Sequence, residues 1–175
     1  APARSPQAVA ATACDKTASL PHSSAKTPLA RNPMFNPSRD QVRRFFCEAW
    51  RKHRAREILD GAEAVAADLI THHPEYHALL ETPEAAVEKE FTPESGQTNP
   101  FLHLSLHLAV ADQLAVDRPQ GICAAYEKLR QRLEVHDAEH VLIERLGEAL
   151  WRAQGDGSAM DAEQYLECVR HAAGR

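Results

Sequence analysis

The stretch Asn99-Pro-Phe-Leu-His-Leu-Ser-Leu-His-Leu-Ala-Val110 decides the reading of this chain. Asn99 is a residue type whose side chain accepts hydrogen bonds from the free amides of a helix start, and Pro100 sits where a missing N–H costs nothing. The pattern predicts a helix running on to about Ala115. At 3.6 residues per turn, Ser105 and Asp112 share one side of it, and His103 and His107 point the other way with Val110, Ala111 and Leu114. Two histidines one turn apart are therefore expected on the face that meets the core.

Composition frames that helix. The 175 residues are 43% hydrophobic, enough for one core, and only 7 are glycine. With few β-branched residues, this predicts an all-α fold, a compact helical bundle of about five to seven helices. Cys14, Cys47, Cys123 and Cys168 are widely spaced and form no Cys-x-x-Cys pair. That argues against a disulfide framework or a cysteine zinc site and fits a reducing cytoplasm. No apolar run reaches the length of a membrane span.

The flanks follow. Residues 1–33 are rich in Ala, Pro, Ser and Thr, with Asp15 the only acid. They cannot bury enough apolar surface to offset chain entropy, so a disordered tail is expected ahead of a single helical domain, 34–175. Met34 is the expected biological start, with the tail an extraneous extension; an organellar targeting peptide is the rival reading. Ser38 caps a first helix to about Arg54, with Val42, Phe46, Ala49 and Trp50 inward. Its outer face is basic, carrying Arg39, Arg43, Arg44, Arg51, Lys52, Arg54 and Arg56. Residues 57–100 hold ten acids against one Lys89. With a net charge of -5 and no aromatics interleaved on that face, a solvated surface partly neutralised by its neighbour is favoured over nucleic-acid binding.

A second helix is expected from Asp60, with Glu63 completing a capping box. Ala62, Val65, Ala66, Leu69 and Ile70 make its inner face, joined by Ile58. Pro74 ends it and opens a short helical turn over 75–80. Thr82 and Pro83 start another short helix, and Thr92 to Thr98 is a loop. Beyond the central helix, Asp117-Arg118-Pro119 marks a turn. Ile122, Tyr126, Leu129 and Leu133 then form a stripe. A long helix follows to about Gln154, with Leu142, Ile143, Leu146, Ala149, Leu150 and Ala153 inward. The last helix spans 161–172.

Three histidine pairs have i, i+4 spacing: His73/His77, His103/His107 and His136/His140. On a helix this spacing puts two imidazoles on one face, close enough to share a metal ion. Helical bundles build such sites from inward histidines and carboxylates on facing helices. The helical wheel places Glu139 inward, and Glu75 lies between the first two histidines as a further candidate ligand. Nitrogen and oxygen donors without thiolate suit iron, zinc, manganese or copper. Iron, alone or as a di-iron centre, is favoured; zinc and a bis-histidine haem rank lower. Seven candidates exceed one ion's needs, so either two metals bind or some of these residues stand behind the ligands. The competing reading is a metal-free interaction module for an unidentified protein partner, its histidines satisfied by core hydrogen bonds. His136-Asp-Ala-Glu-His140 also matches the H-x-x-E-H zinc-peptidase pattern, but only 35 residues follow, too few for that fold.

Met34-Phe-Asn-Pro-Ser-Arg-Asp-Gln-Val-Arg43, His73-Pro-Glu-Tyr-His77, the Asn99 to His107 segment and Leu146-Gly-Glu-Ala-Leu-Trp151 together resemble a proteobacterial family catalogued as domain of unknown function 1841. The resemblance runs from Met34 to Arg170. It implies a small bacterial cytoplasmic protein and carries no activity with it, so function rests on the histidines.

Overall fold

In a computed structural model, residues 37–92 and 98–174 are described; the tail, Met34 and most of the expected 92–98 loop lie outside them. Ser38 starts α1 (Arg39–Ala55) with a capping box: its hydroxyl accepts from Gln41 N, and the Gln41 side chain accepts from Ser38 N. Asp60 and Glu63 repeat the device at α2 (Gly61–Thr71). Each box satisfies two amides that a helix start leaves unpaired. A 3₁₀ turn over Pro74–Tyr76 leads into α3 (His77–Leu80), and Pro83 opens α4 (Pro83–Glu88). Asn99 caps α5 (Pro100–Val116) by accepting from Phe101 N and Leu102 N. Then come α6 (Ile122–Arg130), α7 (Val135–Gly155) and α8 (Ala162–Ala173). The described residues contain no strand, so the all-α bundle is as expected. Six helices have nine residues or more, and α3 and α4 are short additions.

Helix α5 joins two cores. Phe101 and Leu104, near its start, pack with Phe46, Trp50, Ile70 and Leu80 from α1, α2 and α3. Val110, further along, packs with Ile122, Leu129, Leu142, Leu166 and Val169 from α6, α7 and α8. His107 lies between these two sets on the same helix, 1% exposed.

Several side chains depart from the helical-wheel reading. Arg43 was assigned to the basic outer face, yet it is 3% exposed. One of its guanidinium nitrogens donates to the carbonyls of Ala86, Val87 and Lys89 at 3.1, 2.7 and 2.7 Å. It thereby serves the unpaired carbonyls at the end of α4, a need that belongs to another helix. Phe91 and Phe101 flank the same guanidinium at 5.4 and 5.3 Å. Ala62 and Val65 face solvent, Ala67 takes the inner place, and Ile58 is 94% exposed. The reason is that α2 turns Glu63 inward to meet Lys52 of α1 at 2.6 Å, which rotates its buried arc. Leu150 is also exposed, although Ala149 beside it packs on the core. The other α1 charges behave as expected: Arg39 pairs with Glu90, Arg51 with Glu48 and Glu57, and Arg54 with Glu81. No helix among the described residues is long and apolar enough to cross a membrane.

Candidate metal centre

Four histidines from three segments converge where the two cores meet. His73 comes from the end of α2, His103 and His107 from α5, and His140 from the second turn of α7. Each offers a ring nitrogen, and all four nitrogens lie within 4.8 Å of one another. The tightest part is a set of three: His107 Nε2 stands 3.0 Å from His73 Nε2 and 3.2 Å from His140 Nε2. Two imidazole nitrogens sharing one ion, each about 2.0–2.1 Å from it, lie about 2.9 Å apart at a right angle and about 3.3 Å apart at the tetrahedral angle. The observed spacings fall inside that interval.

Hydrogen bonding alone accounts well for only one of these two contacts at a time. One imidazole nitrogen has either one N–H or one lone pair, so His107 Nε2 cannot make two well-directed bonds. The partners on the far side of the rings sharpen the point. His73 Nδ1 is 3.0 Å from Glu75 Oε1. A carboxylate only accepts, so Nδ1 carries the proton and Nε2 of a neutral His73 presents its lone pair. Burial alone would raise the Glu75 carboxyl, but the His73 hydrogen bond and the neighbouring rings outweigh it and hold the group below its usual range. Behind His107, the buried Nδ1 has no hydrogen-bond partner among the described residues, and Glu139 Oε2 stands 3.6 Å away. The proton of His107 decides what this contact is: on Nε2 it makes a hydrogen bond to the His73 lone pair, and on Nδ1, facing Glu139, it leaves two lone pairs 3.0 Å apart, an arrangement that a shared cation would relieve.

Neutral rings are the ligating form, and at His103, His136 and His140 the surroundings favour it. Burial, then the neighbouring rings of His107, His73 and His140, lower His103 to about 4. Burial followed by the adjoining histidines also lowers His136 and His140. His136 borders the cluster, its ring 4.3 Å from that of His140, 4.8 Å from His73 and 5.4 Å from His107.

The chain matches the family described as Domain of unknown function (DUF1841) over residues 38–171. It belongs to that family. No curated protein and no solved structure matches it.

Of the sequence-predicted residues in this family member, His73, His103, His107 and His140 come together, with Glu75 and Glu139 behind two of the rings and His136 at the border. His77 does not join them. Its Nε2 bonds the carbonyl of Ile70 at 2.9 Å, and its ring stacks on Trp50 at 4.1 Å. Pro74 is the cause: the 3₁₀ turn it opens breaks the helical register that would have aligned His77 with His73. Two neighbours were not anticipated. Tyr76 stacks on His73 at 5.3 Å, and His72 stacks on His136 at 5.8 Å. The His72-His73 doublet was the available signal for the second, but adjacent residues on a helix point about 100° apart, so spacing alone assigns it elsewhere.

Proposed function

We propose that this protein binds a transition-metal ion through His73, His103, His107 and His140. The observation that carries this is the convergence of three Nε2 atoms at 3.0 and 3.2 Å, with carboxylates on the far side of two rings. Four imidazoles and no thiolate suit a borderline divalent ion. Iron is favoured. Glu75 and Glu139 add electron density to the rings they face, which supports a ferric as well as a ferrous state. A bound ion would supply Lewis acidity or a one-electron couple at the seam between the cores. A small bacterial cytoplasmic protein is the setting that fits best, with Cys47 and Cys168 as free thiols. The metal-free interaction module is disfavoured because it leaves His107 Nε2 with two close nitrogen contacts for one proton or lone pair.

The test is metal analysis of protein purified without a histidine tag, before and after anaerobic iron loading. About one equivalent per chain is expected, because such sites fill stoichiometrically. Less than about 0.1 equivalent of any transition metal after loading would overturn the reading. Zinc in stoichiometric amount would keep the site and reject iron.

A further inference from the structure

His107 and His73 are almost sealed from solvent, at 1% and 3% exposure, whereas His103 and His140 are half-buried. An ion that reaches them must shed its water in a protein interior, where bare charge is costly. The molecule contains a graded path that removes this difficulty. His72, at the end of α2, is exposed. Its Nδ1 lies 2.9 Å from the carbonyl of Asp68. A carbonyl only accepts, so Nδ1 holds the proton and Nε2 carries the lone pair. His72 stacks on the half-buried His136 at 5.8 Å and 22°. His136 in turn stacks on His107 at 5.4 Å and 8°, and its ring lies 4.3 Å from that of His140. Five imidazoles thus run from solvent to the buried centre, and only the innermost are among the four that converge.

We propose that His72 and His136 form an outer, exchange-labile transition-metal site through which the buried centre is filled and emptied. The proposal rests on the metal reading above. His72 takes a hydrated divalent ion at the surface, replacing one water. His136 and then His140 displace further waters one imidazole at a time. Each step exchanges one neutral donor for another, so no electron moves and no covalent bond forms or breaks. His136 is a shared member: close enough to the inner rings to hand over, and exposed enough to receive.

The experiment follows Co(II) uptake by the apoprotein with stopped-flow absorbance, and its later removal by a strong chelator. Co(II) binds nitrogen sites more tightly than Fe(II) and reports its own coordination by colour. His72→Ala and His72→Phe are compared with wild type; the second keeps a stacked ring and removes the nitrogen. Both variants should reach the same final Co(II) content. Their uptake and release should each slow by roughly 10-fold, the lower end of what an outer group is worth at a metal site. His72→Asp, which restores a donor, should recover part of the rate. If either His72→Ala or His72→Phe fills and empties as fast as wild type, the port is overturned and the buried site stands. If wild type takes up no Co(II), the metal reading falls and the port falls with it.

Discussion

His73 and His77 are four residues apart, yet they belong to two different regions of the molecule. His73 turns into the seam between the cores and faces His107 at 3.0 Å. His77 lies against Trp50 in the aromatic core, and Trp50 also stacks on His53 at 5.4 Å. Each ring has one partner other than a histidine, and the atom that meets it decides the ring's chemistry. His73 donates from Nδ1 to Glu75, so Nε2 remains a base. His77 bonds a carbonyl through Nε2, so that nitrogen carries its proton and faces no cluster. Of two imidazoles in one short segment, one turns a ring nitrogen to the cluster and the other fills space. Ligand character is a property of the second hydrogen bond as much as of the residue type.

The strongest attempt to break this contrast is His107→Ala. It removes the nitrogen shared by two contacts and leaves a void at the seam. Metal should be lost, and stability should fall by about 2–4 kcal/mol from the missing ion and the cavity together. Thermal melts with and without a strong chelator check it. Wild type in chelator should move towards the mutant, and the mutant should hardly respond. His107→Phe should lose the metal equally while keeping more of the apo stability, because it refills the volume.

Removing the carboxylates is gentler. Glu75→Gln and Glu139→Gln should each weaken metal affinity by about 10-fold or more, since the groups behind a ligating histidine orient it and raise its basicity. Apo melting temperatures should stay near wild type, because both side chains are partly exposed. Competition titration against a chromophoric chelator measures the effect. Unchanged affinity in both variants would leave the contrast between His73 and His77 without its cause.

Acid titration of the apoprotein gives a smaller effect with a defined sign. His103, His136 and His140 are lowered from 6.5, His103 to about 4. The unfolded chain therefore binds more protons than the folded one between those values. Stability should be full above pH 6.5, fall as the pH drops through that window, and level off for His103 below about 4. Denaturant midpoints at a series of pH values check this, with His103→Gln flattening the slope.

The smallest change is expected at His77. His77→Ala should cost about 1–2 kcal/mol, from the Trp50 stack and one hydrogen bond, with metal content and affinity untouched. Loss of metal from this variant would show that the two regions are coupled.

Much of this molecule was legible along the chain. The caps at Ser38, Asp60 and Asn99, the helices they open, and the inward turn of His103 and His107 follow from local hydrogen bonding and the 3.6-residue period. These are short-range effects, and a residue's neighbours in sequence supply them. The grouping of the site was decided elsewhere. His73 lies 34 residues from His107, and His140 lies 33 residues from it on the other side. Periodicity states which way a side chain points from its own axis and is silent on which helix stands opposite. Arg43 illustrates a different limit: seven residues from Trp50, it shares that side of α1, and its charge rather than its spacing argued for the outside; the carbonyls of α4 hold it in. His77 shows the converse, an apparent ligand redirected by one proline. The packing of α2, α5 and α7 around the seam determined which imidazoles meet, because that choice depends on the relative placement of helices and not on the spacing within any one of them.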